Sequence, residues 1–191
     1  ADDKDIKTGL PIISLYGKKK KPSAADLEGV DILLFDIQDV GVRFYTYIYT
    51  MSYCMESAAE NGIEFVVLDR PNPLGFAVDG PVLEEQYSSF VGLHPTPLLH
   101  GCTVGEYAKM VAGESWLKTE KQLSLSVVPC QNWTHGDLYQ LPIPPSPNLP
   151  NMNAIYQYPS LGLFEGTVVS VGRGTKQPFQ LYGHPMMNGS F

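Results

Sequence analysis

LLFDIQDVGVRFYTY, residues 33–47, opens as an apolar run and ends among polar and phenolic side chains. We read it as a buried β-strand that delivers Asp36, Gln38, Asp39, Arg43, Tyr45 and Tyr47 to a cleft. The strand belongs to DILLFDI, 31–37, a short apolar run interrupted inside only by Asp36. Runs of this kind suit a parallel strand covered on both faces.

The neighbouring segments support a parallel strand. Ile48, Met51, Met55, Ala58 and Ala59 fall at the spacing of one apolar helical face, which predicts a helix over Thr46–Asn61 stopped by Asn61-Gly62. IEFVVLD, 63–69, is then a second buried strand, completing a β-α-β unit. A loop rich in Gly and Pro runs from Arg70 to His100. Thr103 and Glu106 have the spacing of a capping box. The helix they open carries Val104, Tyr107, Ala108 and Val111 on one face. LSLSVVP, 123–129, reads as a third strand. The alternation implies an α/β fold with a parallel, Rossmann-like sheet.

The flanks are less regular. LPIISL, 10–15, reads as a short strand, and Ser23 caps a helical turn with Asp26 three residues on. LPIPPSPNLP, 141–150, holds five prolines and can be neither helix nor central strand. We take it as the edge of a first domain, giving 1–143 and then 144–191 as the start of a smaller C-terminal α+β domain. That second part offers a short helix around 151–158 and GTVVSV, 166–171, as a strand. The abrupt ends, ADDKDIKTGLP and PMMNGSF, suggest a larger protein that extends both ways.

Composition excludes several classes. The 191 residues are 43% hydrophobic and 17% charged, as in a globular chain. The net charge of −7 is wrong for a nucleic-acid binder. Lys18–Lys21 is the one dense basic run, and we read it as a solvated patch. Cys54, Cys102 and Cys130 form no CxxC pair, and Cys54 sits in the apolar helical pattern as a core residue. No apolar window is long enough to span a bilayer. His94, His100, His135 and His184 lack metal-ligand spacing, so no metal is expected. Asn132-Trp-Thr134 and Asn188-Gly-Ser190 match the glycosylation pattern, which matters only in a eukaryotic secretory context.

In open α/β sheets ligands bind beyond the carboxyl ends of the strands. The residues there are Asp36, Gln38, Asp39, Arg43 and Tyr45 after the first run, Asp69, Arg70 and Asn72 after the second, and His100 before the capped helix. Two carboxylates, an arginine and several amide or phenol donors fit a pocket for a polar ligand, sugars included. Each also has a structural alternative: Asp36 as a buried cap on loop N–H groups, Asp39 and Arg43 as a mutual pair, Arg70 as a loop brace. Farther on, the prolines hold Ser146 and Asn148 rigidly, and Glu165 and Arg173 flank the last strand. Gly172-x-Gly174 lacks the third glycine of a dinucleotide fingerprint, and QDVG offers one glycine where a phosphate-cradling turn needs two or three. No nucleotide or other cofactor is expected.

Several blocks carry a resemblance: FDIQDVGVRFYTY (35–47), VLDRPNP (67–73), GPVLE (80–84), FVGLHPTPLLHGCTVGEYA (90–108), PPSPN (144–148) and LFEGTVVSVGRGTKQPFQLYG (163–183). Together they resemble the exo-β-N-acetylmuramidase family of NamZ type over about residues 9–185. The resemblance implies a bacterial, exported, extracytoplasmic glycosidase of peptidoglycan recycling that uses no nucleotide. It would release N-acetylmuramic acid from the non-reducing end of cell-wall glycan fragments, in a cleft between two domains. It carries roles onto Asp36, Gln38, Asp39, Arg43, Tyr45, Asp69, Arg70, Asn72, His100, Glu106, Ser146, Asn148, Glu165 and Arg173. Members also carry a Pro-Glu-His-Gly segment whose glutamate is a leading candidate for the catalytic acid. That segment would lie upstream of residue 1.

A glycosidase needs one group to protonate the leaving oxygen and another to attack or to activate water. Within this chain Asp39 and Glu165 are the catalytic candidates, assisted by Asp36. The lactyl carboxylate of muramic acid calls for an arginine, and Arg43 or Arg173 could hold it in a bidentate fork. The competing class is a non-catalytic lobe that binds sugar or muropeptide.

Overall fold

A computed structural model describes residues 3–187, so Asn188-Gly-Ser190 lies outside the described residues. Its centre is a parallel three-stranded sheet of β3 (Ile32–Phe35), β4 (Glu64–Leu68) and β7 (Leu125–Val128), in the order β3-β4-β7. Phe35 pairs with Val67, and Val67 with Val127. Short antiparallel pairs flank it: β1 (Asp3–Lys4) with β2 (Pro11–Ile12), and β5 (Val78–Asp79) with β6 (Leu99–His100).

The helices are α1 (Tyr47–Asn61), α2 (Val104–Gly113) and α3 (Met152–Leu161). The expected apolar faces are the buried ones. Ile48, Met51, Met55, Ala58 and Ala59 of α1 are sealed, as are Val104, Tyr107, Ala108 and Val111 of α2. Both helices cover the sheet face formed by Phe35, Phe65 and Val67, with Leu33, Leu125 and Val127 at its margin. Gly62 ends α1 in the left-handed conformation, and its N–H donates to Ala59 O. Cys54 lies in this core, and burial pushes its thiol up to about 12.

The stretch 33–47 is not one strand. The strand ends at Phe35, residues 36–46 are loop, and α1 begins at Tyr47. The loop turns at Gly41, whose φ is +77° and whose N–H donates to the Asp39 carboxylate at 2.7 Å. That local bond replaces the ladder a longer strand would need. Nor is β3 covered on both faces: Ile32 and Leu34 are 51% and 60% exposed, because α1 and α2 pack on the other side.

Three other expectations change. GTVVSV is no strand; among the described residues its only β-pairing is an isolated Ser170–Gly183 bridge, and Val168 is exposed. Only Pro11 and Ile12 of LPIISL pair as strand. The lysine run is not simply solvated: Lys19 meets Asp26 at 2.6 Å, Lys21 meets Glu60 at 2.7 Å and Glu56 at 3.2 Å, and Lys20 lies 3.8 Å over the Phe90 ring.

A second apolar cluster joins distant parts of the chain. Val40, Val42, Tyr45 and Leu74 from the loops beyond the sheet meet Leu149, Ala154, Ile155, Tyr158, Val171 and Phe179. Five of the candidate side chains, Tyr45, Ser146, Asn148, Glu165 and Arg173, lie at or beside it.

Candidate functional site

A small cavity of about 80 Å³ lies against this second cluster, lined by Tyr45, Ser146, Asn148, Leu149, Tyr158, Glu165, Arg173 and Phe179. Five of these are candidates from the sequence: Tyr45, Ser146, Asn148, Glu165 and Arg173. They come from three segments. Tyr45 ends the loop after β3, and its hydroxyl donates to Pro145 O at 2.8 Å. Ser146 and Asn148 stand on the proline loop, which closes through Leu149 N to Ser146 O at 2.9 Å. Glu165 and Arg173 follow α3 and form an ion pair.

Three lining residues carry no functional signal in the sequence. Tyr158 sits on the apolar face of α3 with Ile155 and reads as core. Phe179 sits at φ +52° in an irregular segment, and Leu149 follows the prolines. The Tyr158 ring is edge-on to Phe179 at 4.8 Å and to Phe44 at 5.0 Å. Such contacts fix an aromatic wall. Burial pushes the Tyr45 and Tyr158 phenols up, with the Asp39 charge adding to both and Glu165 adding to Tyr158. Both phenols are therefore neutral hydrogen-bonding groups at neutral pH.

Asp39 lies beneath this wall, 3% exposed, and lines none of the cavity. It is not paired with Arg43. Its Oδ2 accepts from Gly41 N and lies 3.2 Å from His100 Nε2, while Oδ1 has no hydrogen-bond partner among the described residues. His100 Nδ1 accepts from Cys102 N at 3.2 Å, which assigns the ring proton to Nε2, facing Asp39. The alignment toward Asp39 is too poor for a hydrogen bond, so the contact is a close polar approach.

The other sequence candidates brace loops. Arg43 Nη1 donates to Pro81 O at 2.7 Å and Thr96 O at 2.6 Å. These bonds hold Arg43 to the 81–96 loop; Arg173, itself paired with Glu165, is the arginine that lines the cavity. Gln38 Nε2 donates to Asp39 O and Pro71 O. Asp36 is not a buried cap; it is half exposed and pairs with Arg70 at 2.7 Å. Asp69 accepts from Thr103 Oγ1 at 2.8 Å and Gly105 N at 2.7 Å, at the N-terminus of α2 where a carboxylate is favoured. Asn72 Oδ1 accepts from Leu74 N and Nδ2 donates to Cys102 O.

Glu106 completes the capping box of α2 and also meets His135 Nε2 at 3.0 Å. The Glu106 bond raises the His135 pKa, opposed by partial burial. Burial pushes Glu106 up, but the bonds from His135 and Thr103 outweigh it and hold the carboxyl below its usual range. The histidine's contribution to stability is full below its ordinary value and is lost as pH rises through its raised folded value. The carboxylate's contribution is lost as pH falls through its lowered one. Both groups are nearly half exposed, so the pair is worth no more than about 1 kcal/mol. Glu106→Gln keeps the capping geometry, and its thermal deficit relative to wild type shrinks from pH 6 to pH 9. A deficit equal at both pH values rejects this coupling.

Among the described residues no group of three or more His, Cys, Asp or Glu is arranged to hold a metal ion. Glu165 is the one carboxylate lining the cavity. The assembled groups are thus an acceptor, a guanidinium, two neutral phenols, a hydroxyl and an amide. They can grip a small anionic substituent and hydrogen-bond a polyol.

The family model described as Exo-beta-N-acetylmuramidase NamZ, N-terminal, matches residues 1–153, and its C-terminal counterpart matches residues 156–191. A curated relative, the peptidoglycan beta-N-acetylmuramidase NamZ of Bacillus subtilis (strain 168), is 52% identical over 97% of this chain and 45% of its own length. Two solved DUF1343 family proteins from Bacteroides fragilis NCTC 9343 match 97% of the chain. One has a TM-score of 0.92 at 56% identity over 51% of its own chain, the other 0.90 at 42% over 49%. The chain spans about half the length of these relatives. By sequence over both of its parts, and by fold, it belongs to the exo-beta-N-acetylmuramidase NamZ family.

Proposed function

We propose that this chain supplies one wall of a glycosidase site that releases terminal N-acetylmuramic acid from the non-reducing end of peptidoglycan fragments. The observation that carries the reading is the convergence of Glu165, Arg173, Tyr45, Ser146 and Asn148, from three separate segments, on one cavity. Its volume of about 80 Å³ is that of a few water molecules at ~30 Å³ each. As part of one wall, a hollow of that size seats a substituent of a sugar. A lactyl carboxylate is such a substituent, and Arg173 is the fork to receive it.

In this reading Glu165 acts at the reacting centre, Arg173 reads the acid, and Ser146, Asn148 and the phenols orient hydroxyl groups. Asp39 is a positioning residue that holds Gly41 and His100 beneath the wall. A second carboxyl is required, and the reading assigns it to the part of the family fold outside this chain. No nucleotide takes part, since the loop after β3 has one glycine. A cell-wall substrate implies work outside the cytoplasm. No described helix is long and apolar enough to cross a membrane. The division near residue 143 into a Rossmann-like part and a smaller one belongs to the same proposal.

Arg173→Ala lowers kcat/KM for a muramic-acid-ended disaccharide by up to roughly a hundredfold, the scale of one hydrogen bond to a charged group. It leaves glucosamine-ended fragments as poor as before. Loss of the preference assigns the acid-reading role to Arg173. A preference that survives in Arg173→Ala and disappears in Arg43→Ala returns that role to Arg43.

The second reading, a non-catalytic sugar-binding lobe, draws on the single carboxylate in the cavity. It predicts binding of the same disaccharide without release of free sugar.

A further inference from the structure

A cavity of about 490 Å³ shares no lining residue with the candidate site. That volume is within the usual range of small-ligand sites, about 300–1,000 Å³. Its lining comes from two segments: the stretch 83–95 before β6, and Trp116 and Lys118 after α2. Both segments are fixed. Leu83 N donates to Thr96 O at 3.1 Å and Ser88 Oγ to Leu93 O at 3.2 Å, which closes the first. Trp116 N donates to Val111 O at 3.0 Å, and Lys118 N to the buried Glu56 carboxylate at 2.8 Å.

The deciding group is His94, which lines the cavity and is only 3% exposed. Ser52 Oγ gives its one proton to Ile48 O at 2.9 Å, so toward His94 Nε2, also at 2.9 Å, it can only accept. The ring proton is therefore assigned to Nε2. Burial, with the Lys118 charge adding to it, pushes the His94 pKa down to about 4, so the ring is neutral and Nδ1 is a bare acceptor. Nδ1 has no hydrogen-bond partner among the described residues, yet it is not one of the atoms sealed from solvent. It opens onto the cavity that the ring lines. Trp116 stacks on the same ring at 5.2 Å, and the Lys118 charge is close enough to bear on it. Neither the Lys118 ammonium nor the Glu85 carboxylate has a partner among the described residues. Leu83, Leu93 and Pro95 complete an apolar lining. A buried acceptor without a partner calls for a donor, and unpaired charges of both signs call for their opposites.

We propose that this cavity binds a free apolar α-amino acid as its zwitterion, with the carboxylate toward Lys118 and the ammonium between His94 Nδ1 and Glu85. Such a molecule carries an anion, a cationic N–H donor and an apolar side chain on one small frame. The side chain rests against Trp116 and the aliphatic lining. The proposal is independent of the muramidase reading, because it uses no residue of the Glu165 cavity.

The test uses the whole chain with its tryptophan indole nitrogens isotopically labelled, titrated with phenylalanine and separately with leucine. The chain has two tryptophans. Trp116 lines the cavity, and Trp133, which packs against Gly75, is the internal control. The expected result is a saturable shift of the Trp116 indole resonance with both amino acids, with Trp133 unmoved. Phenethylamine, which lacks the carboxylate, and N-acetylphenylalanine, which lacks the ammonium, bind at least about tenfold more weakly, on the scale of one lost hydrogen bond to a charged group. Lys118→Met and Glu85→Gln, at exposed positions where a change costs folding little, each weaken phenylalanine binding about tenfold. No saturable shift at Trp116, an equal shift at Trp133, an equal response to phenethylamine or N-acetylphenylalanine, or a response that either charge variant leaves unchanged overturns the assignment. The muramidase reading is tested apart from this, by release of muramic acid from a disaccharide, so failure of either leaves the other standing.

Discussion

On the proposed function, Glu165→Gln in a family-length protein that contains this chain is expected to cut release of N-acetylmuramic acid by roughly a thousandfold, within the range of about 10²–10⁴ that a positioned acid–base group supplies, and to leave the protein folded. The amide nearly matches the carboxylate in shape, so it preserves packing and removes the charge and the basic oxygen. Stability changes little because the Glu165–Arg173 pair is partly exposed, at 30% and 56%. Such pairs contribute about 0–1 kcal/mol. For a chain of this size that is a melting shift of at most about 2–4 °C. Activity that falls only with KM assigns Glu165 to binding. Activity that falls in parallel with the melting temperature makes it structural.

Gly41→Ala has the largest effect expected on stability, about 4 kcal/mol, as three costs converge. The residue sits at φ +77°, which costs an L-residue about 1–2 kcal/mol. A methyl group there would lie 2.4 Å from Asn72 Oδ1, 2.6 Å from Nδ2 and 2.9 Å from Cγ. Asn72 is 2% exposed and makes two bonds, accepting from Leu74 N and donating to Cys102 O, so it cannot move without leaving buried groups unpaired. Melting should fall by roughly 10 °C. Gly113→Ala is the contrast. It ends α2 with nothing within 4 Å of the added carbon, and should be neutral or slightly stabilising. Similar melting temperatures for the two variants would falsify the view that the Gly41 turn locks the loop beneath the site.

The parts of the fold legible in the sequence are those decided by local chemistry. The apolar stripes of α1 and α2 and the Thr103–Glu106 capping box depend on neighbours three and four residues away. Strand limits are less legible, because they depend on a partner. IEFVVLD has β3 and β7 on its two sides, whereas GTVVSV finds no ladder. The loop at 36–46 reads as strand because the bond that turns it, Asp39 to Gly41, competes with pairing only once Phe35 has reached the end of the ladder.

The site shows the same limit. A motif does not say where a guanidinium is spent. Arg43 is as suitable as Arg173 on sequence, but the 81–96 loop occupies it. Asp39 and Arg43 are spaced to pair, but the fold brings His100 of β6 to Asp39 instead. Tyr158 and Phe179 are invisible as site residues because an aromatic on an apolar helix face, or in an irregular segment, reads as core. They are core on one side and cavity wall on the other.

The most direct test of the central claim is a time course of free-sugar release from a disaccharide with N-acetylmuramic acid at its non-reducing end, using a family-length protein that contains this chain. The account predicts steady accumulation of free N-acetylmuramic acid, with no nucleotide added, and its near-complete loss in Glu165→Gln. Undiminished release in Glu165→Gln, or tight binding of the disaccharide with no release by the unaltered protein, contradicts it.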